Sequence, residues 1–395
     1  GAMHYQPEVG ELVEFLMKTN PYANNEDWVH PSNDDKNLQL SFAKTAISYL
    51  SKGYSVDFQK SAPIQFDNLS ESTLAHGQKL LFQTGGTTGT PKRVVHLQSS
   101  ISSPVAALSS RVGESSFSFV NCLPLNHVGG WMQIERALRT NGEVFFCSYK
   151  DLTGEVTKSI LRDKWVSLVP TQLHFLVSDK FGCESLRACR GVFLGGAAMS
   201  EELTQKCRNL ELPIYPTYGM TETAGMVTLL DASDFLNGNA GVGTALSHAE
   251  LSLKGPEARI AIRAQSLCQS REGYVIQPNS WYLTDDFGKQ DCKGNWFVLG
   301  RLDRMINTGG EMVCPSLIEK IILANTSARE CRVVSQRDKK WGEIVTAWIA
   351  PLNITENAMK EALRGKLQDY EIPKKWHFFN QLPPLDEGKI NRFSE

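Results

Sequence analysis

Between residues 144 and 215, short runs rich in β-branched and aromatic residues alternate with helical stretches. The runs are Val144-Phe145-Phe146, Val166-Ser167-Leu168-Val169, Val192-Phe193-Leu194 and Ile214-Tyr215, and Gly or Pro punctuates the segments between them. Strands that alternate with helices need crossover connections, so this pattern predicts a mostly parallel α/β sheet. A helix is expected earlier, because Leu38, Leu40, Phe42, Ala43, Ala46, Ile47 and Leu50 recur at helical spacing and Gly53 follows as a stop. The period changes after Gly241. Glu250-Leu251-Ser252-Leu253-Lys254 and Arg259-Ile260-Ala261-Ile262-Arg263 alternate polar with apolar, which suits half-buried antiparallel strands. The last ninety or so residues read as a separate small α+β unit. In it Pro315 opens a helix, 344–349 is a strand, and Thr355 caps a helix with Met359, Ala362, Leu363 and Leu367 on one face. The joint is expected near Arg301-Leu302-Asp303-Arg304.

Composition narrows the function classes. The chain has 395 residues, 41% hydrophobic and 21% charged, enough for two or three domains with a large core. Lys plus Arg is 41 against 43 for Asp plus Glu, a net charge of −2, so the basic excess of a nucleic-acid binder is missing. No apolar run approaches the length of a membrane span and no secretory leader opens the chain, with Gly1-Ala2-Met3 read as a tag scar. The nine cysteines include no CxxC pair and fit neither a disulfide framework nor a zinc ribbon. Together these features predict a reduced, cytoplasmic protein without nucleic-acid or membrane partners, and they leave a homodimer open.

The segment most loaded with chemistry is Thr84-Gly85-Gly86-Thr87-Thr88-Gly89-Thr90-Pro91-Lys92, directly after Leu80-Leu81-Phe82. Glycines let a backbone turn tightly and bring its N–H groups to a ligand, threonine hydroxyls add donors, and the lysine adds a point charge. A polyphosphate requires that set. Thr90-Pro91 stands where the ordinary P-loop demands Lys, so the loop is of another kind.

The segment resembles the phosphate-binding signature of the adenylate-forming enzymes, which include acyl-CoA synthetases, carrier-loading adenylation domains and firefly luciferase. Further motifs of that family follow in order. Leu125-Asn126-His127-Val128-Gly129-Gly130 resembles its gating segment, Gly195-Gly196-Ala197 its adenine turn, and Tyr218-Gly219-Met220-Thr221-Glu222 its YGxTE motif. Gly241-Val242-Gly243 is similar to the next glycine-rich segment, and Tyr282-Leu283-Thr284-Asp285-Asp286 to the ribose-binding strand end. Gly300-Arg301-Leu302-Asp303-Arg304 with Gly309-Gly310-Glu311 resembles the hinge and its loop, and Gly388-Lys389-Ile390 the terminal lysine motif. The resemblance implies an α/β fold: a large N-terminal domain of stacked mixed sheets with helices, residues 4–302, and a small mobile C-terminal α+β domain, residues 304–395, hinged at Asp303.

It also implies roles. Thr84, Gly86, Thr87, Thr88, Gly89 and Lys92 would cradle phosphates, Gly195, Gly196, Ala197, Tyr218 and Gly219 would shape the adenine site, and Thr221 would meet the α-phosphate. Glu222 would hold Mg²⁺, a hard ion that prefers oxygen ligands. Asp286, with Arg301, would serve the ribose, and Lys389, with His127, would act in the reaction. Gly309, Gly310 and Glu311 would form the loop that meets CoA. Negative charge on transferring phosphoryl oxygens calls for such cations and donors rather than for a covalent nucleophile. The chain departs from the family pattern at Gly85, Arg93, Asp285 and Asp386-Glu387, and Asp285 is expected to add negative charge or help hold Mg²⁺. The basic run Arg337-Asp338-Lys339-Lys340 reads as a solvated face, ahead of a loose contact for the CoA phosphates.

The implied activity is that of an acid–thiol ligase using ATP, Mg²⁺ and coenzyme A. No Asp near Asn126-His127-Val128 is placed to hold an amino-acid ammonium, which disfavours amino-acid substrates. The phosphate loop comes as early as residue 84, and the Pro124–Gly130 segment is similar to that of compact o-succinylbenzoate–CoA ligases of menaquinone biosynthesis. Such an aromatic keto-diacid needs a cation for its second carboxylate, and Arg136 is the candidate, with Thr171 and His174 as further pocket residues. Aryl or short- and medium-chain acyl-CoA synthetases, carrier-loading enzymes and a silent nucleotide-binding relative are the competing readings.

Overall fold

The short apolar runs pair with one another along their length. In the computed structural model, which describes residues 33–60, 62–66, 77–84, 92–154, 160–255, 258–301 and 306–382, Val144–Phe146, Phe119–Asn121, Trp165–Leu168, Gly191–Leu194 and Ile214–Met220 are successive parallel neighbours in a seven-stranded sheet. Gly225–Leu229 and Thr244–Ala245 extend it antiparallel, so its mixed character enters at one edge. Under this sheet Trp165 stacks on Phe193 with centroids 4.6 Å apart, beside the buried Phe117, Phe119 and Leu229. Burying one such side chain contributes about 1.5–3 kcal/mol.

A second sheet has six strands, in the order Tyr274–Val275, Ser270–Arg271, Lys92–Leu97, Lys79–Thr84, Ser55–Phe58, Pro63–Phe66. The predicted early helix spans Asn33–Ser51 and lays Phe42, Ala43, Ala46, Ile47 and Leu50 against Phe58, Phe82 and Trp131. It starts before Leu38, because its polar first residues carry no apolar stripe that would mark them as helical in the sequence. The alternating segments after Gly241 form an antiparallel sheet of Ala249–Lys254, Arg259–Ala264, Tyr282–Gln290 and Trp296–Arg301.

The C-terminal elements are a hairpin, Ile306–Thr308 with Glu311–Val313, and a three-stranded sheet of Glu330–Asp338, Gly342–Ala350 and Lys375–Phe378. Pro315–Asn325 and Glu356–Leu363 are the two helices that cover the core of Ile318, Ile322, Val345, Ala347, Ile349 and Met359. Thr355 caps the second of them, its side chain accepting from the Ala358 amide at 3.2 Å. That helix ends at Leu363 rather than at Leu367, because Gly365 turns the chain at φ +73°, yet Leu367 is still buried in the same core.

The described residues fall into two compact units. One reaches Gly196 and takes in Lys206–Glu250 and Arg263–Trp281, while the other holds Ala197–Gln205, Leu251–Ile262 and the described residues from Tyr282 onward. Residues 302–305, where the sequence places the joint, lie outside the described residues. No described helix is long and apolar enough to cross a membrane.

Candidate active site

The segment expected to bind phosphate is flanked by a tight strand pair. Lys79–Thr84 and Lys92–Leu97 run antiparallel and bring Thr84 opposite Lys92. Gly86, Thr87, Thr88 and Gly89 lie outside the described residues, and Lys92 is half-buried at the start of its strand. Four residues along the same strand His96, wholly buried, places Nε2 2.6 Å from the carbonyl of Thr221. The carbonyl accepts, so Nε2 carries a proton and donates. Burial keeps the ring otherwise neutral, since it pushes the His96 pKa down to about 4.

Thr221 opens the turn Thr221–Thr223 between the strands Ile214–Met220 and Gly225–Leu229. Gly219 faces Met226 across this pair, and a Cβ on it would stand 2.1 Å from the Gly225 carbonyl oxygen, so only glycine lets the strands close. The Thr223 hydroxyl donates to the Gly225 carbonyl at 2.7 Å, and the carbonyls of Glu222 and Thr223 accept from the Cys268 amide and the Ser266 hydroxyl. The turn is thus fixed on several sides, with Tyr218 buried just before it. Glu222 is only 4% exposed, and its Oε1 lies 3.5 Å from Nε of Arg271. Among the described residues no group of three or more His, Cys, Asp or Glu side chains converges to hold a metal. A single buried carboxylate therefore fits a magnesium ion that arrives with its other positions filled by phosphate and water.

At the end of Gly191–Leu194, Gly195 and Gly196 turn away with Gly196 at φ +85°, and Ala197 after them is exposed. Gly195 lies against Thr217, whose hydroxyl donates to the Leu194 carbonyl at 3.1 Å.

The other unit carries the ribose candidates. Asp286 pairs with Arg301 across the strands Tyr282–Gln290 and Trp296–Arg301, with Nε 3.5 Å from Oδ1. Asp285 behaves differently from the expectation that it adds negative charge: Arg259 reaches it at 3.0 Å and offsets that charge. Arg337 also departs from its expected solvated face. It is partly buried, donates from Nη1 to the Val298 carbonyl at 2.9 Å and feels the charges of Glu343 and then Asp286, while Lys339 and Lys340 are exposed. Gly309 and Gly310, at φ +59° and +93°, form the two-residue tip of a hairpin in which Thr308 pairs with Glu311. Asp303 and Lys389 lie outside the described residues.

The acyl candidates separate. The helix Val128–Arg139 follows the exposed His127, and its residues are buried almost all round. Arg136, the cation candidate, is 5% exposed, with its guanidinium 5.9 Å from the centre of the Phe119 ring and 6.0 Å from that of Phe193. Its neighbour Glu135 cannot serve it: Arg139, Trp131 and Gln98 all donate to that carboxylate. Among the described residues no carboxylate pairs with Arg136, and its Nε has no partner. Desolvation lowers its pKa to about 10, still far above neutrality. His248, missed in the sequence, is also buried, with neither ring nitrogen hydrogen-bonded; burial and then the nearby Arg136 charge hold its pKa down at about 4. Thr171 and His174 sit exposed on one face of Pro170–Val177, and no described contact joins them to Arg136. Only the order of strands brings Arg271, His96 and His248 to these places, and no local motif marks them.

The AMP-binding enzyme family matches residues 41–263, and its C-terminal domain matches residues 317–389. The chain is 29% identical over 320 residues to the 2-succinylbenzoate–CoA ligase of Lactococcus lactis, covering 79% of this chain and 69% of the relative. It is 27% identical over 371 residues to that of Listeria innocua, covering 90% and 77%. Its fold is similar to o-succinylbenzoate coenzyme A synthetase from Bacillus subtilis, solved in complex with ATP and magnesium ion, with a TM-score of 0.52, 24% identity and coverage of 79% and 68%. The nucleotide motifs in family order, the turn built around Thr221 and Glu222, and a match over more than half of its length show that this chain belongs to the AMP-binding enzyme family, as an ATP-dependent, AMP-forming acyl-CoA ligase.

Proposed function

We propose that the acid this ligase activates is o-succinylbenzoate, which places it in menaquinone biosynthesis. The observation that carries the reading is Arg136: a charged guanidinium enclosed by Phe119 and Phe193 with no carboxylate partner among the described residues. Leaving such a charge unpaired costs several kcal/mol, roughly what a fitting anionic ligand returns. An aromatic acid with a second carboxylate supplies that anion and a ring for the aromatic walls. The names of the bacterial relatives support the same substrate.

In the first step the substrate carboxylate attacks the α-phosphorus of ATP, and pyrophosphate leaves with its electron pair. Thr84, Lys92 and the loop between them hold the phosphates, Thr221 orients the α-phosphate, and Asp286 with Arg301 holds the ribose. Glu222 would hold the magnesium ion that accompanies ATP, which would supply neutralising charge there. Lys389 bridges the reacting carboxylate and phosphate. The CoA thiol then attacks the acyl carbonyl and AMP leaves. Between the steps residues 304–395 turn about Asp303 relative to 4–302, withdrawing Lys389 and presenting the Gly309-Gly310-Glu311 hairpin. His127 gates the acyl site at the start of the Arg136 helix. The partners are small molecules, and the reaction belongs in the cytoplasm, where ATP and CoA are available.

ATP–pyrophosphate exchange with o-succinylbenzoate, benzoate, a short and a medium fatty acid, followed by addition of CoA, tests the reading. Exchange with the keto-diacid and its conversion to a thioester is the expected result. Preference for a monoacid would keep the enzyme class and overturn the substrate. Transfer only to a phosphopantetheinyl carrier protein would overturn CoA as acceptor.

A further inference from the structure

Arg271 stands where the phosphate hairpin and the catalytic turn meet. It belongs to the two-residue strand Ser270–Arg271, aligned antiparallel with Lys92–Leu97 so that Arg271 lies opposite Val94. The backbone fixes this placement: the Gln269 amide donates to the Val95 carbonyl at 2.7 Å, and the Glu272 amide to the Arg93 carbonyl at 2.8 Å. From there Nε reaches within 3.5 Å of Oε1 of Glu222. One side chain thus lies both beside the strand that leaves the phosphate loop and against the carboxylate offered to magnesium.

The balance of charge gives that position a meaning. A carboxylate as buried as Glu222 needs a cation, and before nucleotide binds Arg271 supplies it. MgATP brings a divalent cation to Glu222 and, at the same time, a triphosphate whose negative charge exceeds what Lys92 and that ion offset. A guanidinium has several donors in a fixed fork and can hold a carboxylate and a phosphate together, or exchange one for the other. We propose that Arg271 is a substrate-contacting residue: it neutralises Glu222 in the empty site and grips the β- and γ-phosphates of ATP, and so the departing pyrophosphate, in the loaded one. The proposal rests on the use of ATP and is independent of which acid is activated.

Calorimetric titration of ATP, pyrophosphate and AMP, without acid, into wild type, Arg271→Met, Arg271→Lys, Glu222→Gln and the Glu222→Gln/Arg271→Met double variant tests it. Arg271→Met is expected to weaken ATP and pyrophosphate about tenfold and AMP by less than about twofold, with Arg271→Lys recovering part of the loss. The loss of ATP affinity is expected to persist in the Glu222→Gln background, where no buried carboxylate remains to be paired. If it vanishes there, or if AMP weakens as much as ATP, Arg271 serves only to pair Glu222 and the proposal is overturned. The double variant leaves no unpaired buried charge, so the comparison with Glu222→Gln stands even where Arg271→Met alone does not fold.

Discussion

Arg136 and Glu135 are adjacent in sequence and opposite in circumstance. Glu135 is saturated by Arg139, Trp131 and Gln98, whereas Arg136 is buried beside aromatic rings without an anion among the described residues. An unpaired buried charge lowers stability, so Arg136→Met is expected to raise the unfolding free energy of the ligand-free protein by about 1–3 kcal/mol in chemical denaturation. A drop of similar size would show that Arg136 is a structural residue with a partner in the fold. His96 and His248 make a second prediction. Both rings have folded pKa values near 4, against 6.5 for an open ring. Below pH 6.5 the unfolded chain takes up protons that the folded one refuses, so stability is full above 6.5 and falls as pH drops toward 4, by on the order of 3 kcal/mol per ring. His248→Gln is expected to flatten that slope when denaturation midpoints are compared across this range, and an unchanged slope would contradict the burial of the ring. The sequence offered Arg136 but not its burial, because helix spacing alone does not say which face a neighbouring sheet will cover. His248 carried no local signal at all.

At the scale of elements, the Thr221–Thr223 turn owes its geometry to two strands that can close only over glycine. Gly219→Ala is expected to destabilise by about 1–3 kcal/mol, since its Cβ would meet the Gly225 carbonyl oxygen, and to lower ATP–pyrophosphate exchange at least tenfold by displacing Thr221 and Glu222. Exchange within twofold of wild type would show that the turn tolerates an open strand pair. Elements of this kind were legible where chemistry and local pattern coincide. The apolar runs gave the parallel strands, the run Leu80-Leu81-Phe82 gave the strand that leads into the Gly/Thr segment, and Thr355 gave a helix start. What the sequence hid is register. That the strand Ser270–Arg271 pairs with Lys92–Leu97, and that Asp285 is paired with Arg259, depend on strand neighbours far apart in the chain.

For the whole molecule, the nucleotide motifs are divided: Thr221 and Glu222 belong to one compact unit, Asp286 and Arg301 to the other. A ligase whose lid serves two half-reactions predicts separable losses. Lys389→Ala is expected to abolish adenylate formation yet leave thioester formation from a supplied acyl-adenylate within about threefold of wild type, and equal losses would contradict alternation about Asp303. The central claim, that the buried guanidinium selects a diacid, is tested most directly by acid-dependent thioester formation. Wild type and Arg136→Met would be compared on o-succinylbenzoate and on the same keto-acid lacking the carboxylate that is not activated. A charge-assisted contact contributes about 1.5–3 kcal/mol, so Arg136→Met is expected to lower kcat/KM for the diacid by about 10- to 100-fold while the monoacid changes by less than about threefold. Equal losses on both acids, or a wild type indifferent to the second carboxylate, would contradict the account.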